Sequence, residues 1–312
     1  GLSNPIAFED TQISGESPSR AGIPWVACPS EWATEQDFSK AILRVKELSE
    51  VDGLDSLTQR VSATKTTKPV DGLLFGSIGL LAHSSEAQWR AFNQALREKY
   101  PQRGSEIEWD RETYVESLKA CGGRKRLRPF LESKGVAASE ADIEEIYQRK
   151  TAIFLEHIRK NGVTIRPGVL EMLREAKAKG LKIASVSSTP IEVLKALLQN
   201  LAPDMSSYFD LVVSGDDAWR FGNGDRMKPE PDCYLYAKKV LGLSNPIAFE
   251  DTQISMEAAV RAGIPCVAAP SEWATKQDFS KALLRVKELS EVEGLDALIQ
   301  NVSSEKATER AS

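Results

Sequence analysis

Ser187, Lys228, Glu250 and Asp251 carry the groups that suit a phosphate ester and a hard cation. Ser187 places a hydroxyl directly after the apolar run Leu181-Lys182-Ile183-Ala184-Ser185-Val186. Lys228 places an ammonium in Lys228-Pro229-Glu230-Pro231-Asp232, and Glu250-Asp251 places adjacent carboxylates after Pro246-Ile247-Ala248-Phe249. A hydroxyl and an ammonium hold phosphate oxygens, and carboxylates hold Mg²⁺. Taken singly, each has an ordinary structural reading as a turn serine, a Lys-Pro loop or an aspartate at a helix start. Their order, and their places at the ends of short apolar runs, join them into one candidate site.

The elements that must position these groups follow from the hydrophobic pattern. Buried strands are expected at Leu73-Leu74-Phe75, Leu181–Val186, Phe209–Val213, Pro246–Phe249 and Cys266–Ala269, each separated from the next by a helix or loop. The stretch 85–162 reads as helical throughout. The fold class is therefore α/β: a Rossmann-like, doubly wound parallel sheet with a helical cap inserted after the first strand. Such sheets bind ligands at the carboxyl ends of their strands. Those ends are Gly76 and Ile78, Ser187-Ser188-Thr189, Gly215-Asp216-Asp217 and Glu250-Asp251-Thr252.

Composition narrows the function classes. A chain of 312 residues, 41% hydrophobic and 27% charged, has enough material for two domains. A net charge of −5 gives no general attraction to nucleic acid or to an acidic membrane surface. No run approaches the ~18 apolar residues of a membrane span. The four cysteines have neither metal spacing nor the density of a disulfide scaffold, which points to a reducing compartment. The sequence lacks an initiator Met and a signal peptide, so it reads as processed, tagged or a fragment. The one dense basic run, Arg124-Lys125-Arg126-Leu127-Arg128, has a solvated helix face as its plain reading.

Residues 1–62 repeat residues 242–303 at a fixed offset of 241, with 50 of 62 positions identical. The period is too long for a solenoid. The arrangement reads as the tail of one domain, a duplicated β-α-β-α half-domain, placed ahead of a complete one, with the polar stretch 63–69 as linker. The copies differ most where Met256-Glu257-Ala258-Ala259-Val260 is replaced by Gly15-Glu16-Ser17-Pro18-Ser19. Gly and Pro inside a helix cost roughly 1 and 3 kcal/mol relative to Ala, so helical preference is expected to be weak there.

From about residue 70 to 303 the chain resembles the haloacid dehalogenase superfamily, and within it the CbbY-like sugar-bisphosphate phosphatases. The residues that carry this are Arg166-Pro167-Gly168-Val169, Ser187, Gly215-Asp216-Asp217, Lys228-Pro229-Glu230-Pro231-Asp232, Tyr234, Glu250-Asp251, Pro270-Ser271 and Asp278-Phe279-Ser280. The resemblance implies phosphate contacts from Ser187 and Lys228 and a metal site at Glu250 and Asp251. It implies substrate contacts from a cap motif, Gly122-Gly123-Arg124-Lys125-Arg126, with Arg124 and Arg126 facing the cleft. It also implies Asp-x-Asp-Gly-Thr after the first strand, the first Asp attacking phosphorus and the second serving as acid and base.

Here the match is pinned by Phe75, Gly79 and Leu81, and by Arg90-Ala91-Phe92-Asn93. It places Gly76 at the nucleophile position, Ile78 at the acid/base position and Leu80 at the Thr position. Glycine offers no nucleophile, and isoleucine transfers no proton. A register on Asp71-Gly72 would put Pro69 at the nucleophile position, and His83 is the other residue with chemistry nearby. The expected organisation is a repeat at 1–62, a linker at 63–69, a core at 70–84 and 163–303, a cap at 85–162 and a tail at 304–312. The expected function is a pseudoenzyme acting as a binding or structural subunit, with a sugar-phosphate sensor or residual Mg²⁺-dependent phosphatase as the alternative. Magnesium is expected to bind weakly or not at all. Protein contacts are expected through residues 1–62 and the loop 218–226, with no nucleic acid partner. The resemblance further implies a plastid location.

Overall fold

The computed structural model describes residues 6–20, 23, 25–39, 41, 43–46, 69–120, 122–217 and 227–308. The loop 218–226, most of the linker and the end of the first repeat lie outside the described residues. The chain divides into two compact units, residues 1–68 with 306–312, and residues 69–305.

The N-terminal unit contains three parallel strands, β1 (Ala7–Glu9), β2 (Trp25–Ala27) and β3 (Leu43–Arg44), in the order β1-β2-β3. Contrary to the weak helical preference expected there, Gln12–Arg20 forms a nine-residue helix with Pro18 inside it. Local hydrogen bonds support the turn. Ser14 Oγ donates to the Thr11 carbonyl at 3.0 Å, Ser19 Oγ donates to the Gly15 carbonyl at 2.8 Å, and Trp25 Nε1 donates to Ser19 Oγ at 2.8 Å. The Trp25 ring lies over Gly15, where a Cβ would overlap it. The complete copy has Met256 and Cys266 at these two positions, so the large and small partners have changed places.

The second unit carries β4 (Gly72–Phe75), β5 (Ala82–His83), β6 (Thr164–Ile165), β7 (Lys182–Val186), β8 (Leu211–Val213), β9 (Pro246–Glu250), β10 (Cys266–Ala268) and β11 (Leu284–Arg285). Six of them form a parallel sheet in the order β11-β10-β9-β4-β7-β8. Side chains alternate across it. Leu73 and Phe75 enter a core with the helices Val169–Ala178, Ile191–Leu201 and Leu295–Thr308. Leu74 enters the opposite core, with Asp232–Leu241 and Gln253–Arg261. Phe75 stacks on Phe249 with ring centroids 4.6 Å apart. The expected five strands are present. The edge strand β11 and the antiparallel pair β5-β6 escaped the pattern because each has only two residues. The boundary expected at 303 falls inside the helix Leu295–Thr308, whose sequence has no Gly or Pro to stop it.

The repeat is legible in the register. Phe8 pairs with Val26 as Phe249 pairs with Val267. Burial differs sharply: Phe249 is 0% and Trp273 3% exposed, whereas Phe8 is 46% and Trp32 90% exposed. In the complete copy β4 covers the β9 edge, and Trp89 and Tyr114 of the cap pack on Trp273 at 5.8 and 5.6 Å.

The cap lies between β5 and β6. Its main helices are Ser85–Lys99, Arg111–Ser117, Gly123–Ser133 and Glu140–Asn161. Ser139 starts the last with a capping box: its hydroxyl accepts from Asp142 N at 3.2 Å, and its N–H donates to the Asp142 carboxylate at 3.0 Å. No helix among the described residues is long and apolar enough to cross a membrane.

Candidate functional site

The chain order dictates where a crevice forms. After β4 the chain builds outward through β7 and β8, then returns to the other side of β4 to lay down β9, β10 and β11. The direction reverses between β4 and β9, and their carboxyl ends are the switch point at which such sheets bind ligands. Gly76 follows β4 there, its N–H donating to the Phe249 carbonyl at 2.8 Å, and Glu250 ends β9.

A Cβ on Gly76 would overlap the Glu250 carboxylate, coming within 2.9 Å of Cδ. The Glu250 side chain therefore fills the space into which a side chain at position 76 would project. Lys228 Nζ donates to Glu250 Oε1 at 2.6 Å and to the Val186 carbonyl at 3.0 Å, and the Tyr234 hydroxyl donates to the same glutamate oxygen. Both members of the ion pair are buried, with side-chain exposures of 4% and 1%. A buried pair recovers its desolvation cost only when further hydrogen bonds complete it, and Val186 and Tyr234 supply them. Burial and the Glu250 charge push the Tyr234 phenol well above its ordinary range, which keeps it a donor.

Asp251 lies against Gly79, where a Cβ would come within 3.0 Å of its Cγ. The residue is half-buried, but its carboxyl is withdrawn from water. Burial first, and the Glu250 charge second, push it up to about 6. Arg166, part of the resemblance motif, is a buried clamp. Its guanidinium donates to the carbonyls of Gly79 (2.8 Å), Ala269 (2.8 Å), Lys287 (2.9 Å) and Pro270 (3.3 Å), and pairs with Glu288 at 3.0 Å. It fixes the loop after β4 to the loops after β10 and β11.

A cleft of about 170 Å³ opens between this centre and the cap. Of the residues expected from sequence, Ile78, Ser187, Lys228, Glu250, Asp251, Gly122, Gly123 and Arg126 line it. Ser187 Oγ accepts from Thr189 N at 3.2 Å and so also shapes its own turn. Arg124 does not line the cleft: it is exposed, pairs with Glu144 (Nη2 to Oε1, 2.9 Å) and lies 3.9 Å from the Tyr147 ring centroid. Glu144 is four residues before Gln148 on the neighbouring helix, and no spacing within the Arg-rich run reveals it. Asp216 and Asp217 are also used structurally. Asp216 accepts from Ile191 N at the start of a helix (2.7 Å), and Asp217 accepts from Ser214 N (2.9 Å).

Sequence reasoning missed Lys150. It is 7% exposed, lines the cleft, and lies 4.8 and 5.3 Å from the rings of Phe92 and Phe154. Burial, with a smaller contribution from Arg126, brings its ammonium down to about 7. The signal was present: Ile143, Ile146, Tyr147, Lys150, Phe154 and Ile158 fall on one helical stripe, and Lys150 is its only charge.

Two alternatives for chemistry after β4 are contradicted. Asp71 sits at the opposite, amino end of that strand and accepts from Ser244 N (2.6 Å) and Asn245 N (3.0 Å). His83 is exposed in β5 and lies outside the cleft lining.

The donor set does not fit a catalytic Mg²⁺. That ion needs octahedral oxygen ligands at about 2.0–2.1 Å. Oε1 of Glu250 is committed to an ammonium and a phenol, position 76 has no carboxylate, and Asp251 is the other carboxylate that lines the cleft. Among the described residues no cluster of three or more His, Cys, Asp or Glu could hold a metal.

Residues 70–263 match the family model of haloacid dehalogenase-like hydrolases. The chain is 33% identical over 221 residues to protein CbbY of Rhodobacter capsulatus, covering 70% of this chain and 93% of that one. It is 28% identical over 237 residues to the CBBY-like protein of Arabidopsis thaliana, covering 72% of this chain and 71% of that one. Its fold superposes with a TM-score of 0.65 on a mutant CbbY of Rhodobacter sphaeroides crystallised with xylulose-(1,5)bisphosphate, at 29% identity, over 73% of this chain and 99% of that one.

Proposed function

The chain belongs to the haloacid dehalogenase-like hydrolases, in their CbbY-like subgroup, and we propose that it has kept the family fold and given up phosphoryl transfer. The observation that carries this reading is Gly76, whose missing side chain leaves a space filled by Glu250. With no carboxylate there, no covalent aspartyl-phosphate forms. With Ile78 two residues on, no proton is moved to the leaving group. Loss of general acid–base help alone costs about 10²–10⁴-fold. The poor fit to Mg²⁺ supports the same reading, in which metal binding is weak or absent.

The test is a phosphatase assay with Mg²⁺ on xylulose 1,5-bisphosphate and other sugar phosphates, comparing the natural chain with Gly76→Asp/Ile78→Asp. The natural chain should release no phosphate above background. Turnover by the natural chain that depends on Mg²⁺ would refute the proposal. Activity confined to the double variant would show that only the chemistry was lost.

On this reading the protein acts by binding. Phe8, Ile13 and Trp32 are large apolar side chains exposed on the N-terminal unit, a pattern that supports a protein contact there. A Phe8→Glu/Trp32→Glu chain should then migrate as a smaller species than the natural chain when its source is fractionated by native size; unchanged migration would count against the contact. A plastid location belongs to the same proposal.

A further inference from the structure

We propose that the open face of the first repeat, carried by Phe8, Ile13 and Trp32, is an interaction surface for a second copy of this chain, in which it takes the place of residues 242–303 against β4 and the cap. The inference rests on the reading that this face makes a protein contact, and it names the partner.

The repeat says what such a face fits. Phe8, Ile13 and Trp32 are 46%, 81% and 90% exposed, and at the offset of 241 they correspond to Phe249, Ile254 and Trp273. Phe249 stacks on Phe75 of β4. Ile254 lines the cleft that the cap faces. Trp273 meets Trp89, Tyr114 and the Arg111 guanidinium, which lies 4.6 Å from the ring centroid. Each of the three is thus exposed where its counterpart meets β4, the cleft or the cap. The backbone is open in the same direction. In the second unit the Phe249 carbonyl accepts from Gly76 N, while the next carbonyl, that of Glu250, turns to β10 and accepts from Ala269 N at 2.9 Å. In the first repeat the Glu9 carbonyl likewise accepts from Cys28 N at 2.9 Å, so the Phe8 carbonyl faces the free edge of β1, the end of its sheet among the described residues. An open edge beside an exposed aromatic side chain is a template for another strand.

The surface is also held in shape. Gln12 N donates to Gln36 Oε1 at 2.8 Å, as Gln253 N does to Gln277 Oε1 at 2.8 Å. Asp37 N donates to Gln12 Oε1 at 3.3 Å, as Asp278 N does to Gln253 Oε1 at 3.2 Å. In both repeats these bonds tie the start of the helix to the loop that carries the tryptophan. The positions at which the repeats differ include none whose counterpart pairs with β4, lines the cleft or packs on the cap. They do include Gly15 and Trp25, which lie against each other inside the unit. Each copy of the chain therefore holds two matching halves for one β4 and one cap. One half stays open whichever is in place, so exchange between copies breaks and remakes the same contacts, the low-cost route of domain swapping. The tether favours a copy's own residues 242–303, and the first repeat of a second copy enters when they open.

The test is photo-crosslinking between full chains. One chain carries p-benzoylphenylalanine in place of the exposed Trp32. The other is labelled with heavy isotopes and is Phe8→Ala/Phe249→Ala, which weakens both of its own halves where they meet β4. The crosslinker should join the heavy chain within 85–118, the stretch that holds Trp89, Arg111 and Tyr114. Adding Phe8→Ala to the first chain should cut the yield at least ~10-fold. Crosslinks to other parts of the heavy chain, none between copies, or a yield indifferent to Phe8→Ala overturn the inference. Heavy natural chain and heavy Phe249→Ala are run beside it. Yield should rise from the first to the second, because a weakened tail opens more often; equal yields overturn the inference whether or not the double variant folds. Capture of a different protein from an extract of the source, with none of the second copy, would keep the protein contact and overturn the choice of partner. No capture of either kind would refute the contact itself.

Discussion

Replacing Lys150 by Met should stabilise the protein, by an amount that depends on pH. The ammonium falls from an ordinary 10.5 to about 7 because it is buried. Below pH 7 the folded protein must hold the charge in an apolar surrounding, and that costs about 5 kcal/mol. Between about pH 7 and 10.5 the folded state releases the proton while the unfolded chain keeps it. The unfolded state then binds more protons, so this group's contribution to stability rises with pH. By pH 9 the cost is about 2 kcal/mol. Attraction to the surrounding rings, roughly 0.5–2 kcal/mol, is too small to reverse the sign. Urea unfolding of the natural chain and Lys150→Met at pH 6 and pH 9 reads the difference directly, because every other titrating group is common to both. The variant should lead at pH 6, and its lead should narrow by about 3 kcal/mol at pH 9. An equal gap at both pH values, or a variant less stable than the natural chain, would refute the reasoning.

Other expectations follow from the same geometry. Lys228→Met alone should cost about 3–5 kcal/mol by leaving Glu250 charged and unpaired in the core, and adding Glu250→Met should recover most of it; denaturant melts of the two chains decide. Asp251 is held up at about 6, above its unfolded value. The folded state therefore binds the extra proton between about pH 4 and 6, and stability falls as pH rises through that window. Asp251→Asn should raise stability by about 3 kcal/mol above pH 6 and by little at pH 3.5, as thermal melts at the two pH values would show. Gly15→Met alone should overpack the N-terminal unit by about 1–3 kcal/mol against Trp25, and Trp25→Cys alone should leave a cavity. Gly15→Met/Trp25→Cys should be less harmful than the two combined, which a double-mutant cycle on hydrogen exchange in that unit would measure.

Much of the second unit was legible because its strands are short apolar runs and its site residues stand at their ends. Phe75, Ser187 and Glu250 mark three strand ends in the sequence, and the sheet order brings Gly76 and Glu250 together. What was not legible depends on tertiary partners. Arg124 faces away because Glu144, on another helix, holds it there. Asp216 and Asp217 read as site residues but serve turns and helix starts. The helix at Gln12–Arg20 forms against its local propensity because Trp25 packs over Gly15 and binds Ser19. Lys150 could have been found by asking why an apolar stripe contains one lysine.

The exchange of bulk between Gly15 and Trp25, set against Met256 and Cys266, means that the two repeats do not carry interchangeable parts. A helix taken from the complete copy would bring a methionine against Trp25, and a strand taken from it would bring a cysteine against Gly15; the first overfills the contact and the second empties it. Segments are therefore expected to be exchangeable between the copies only when helix and strand move together.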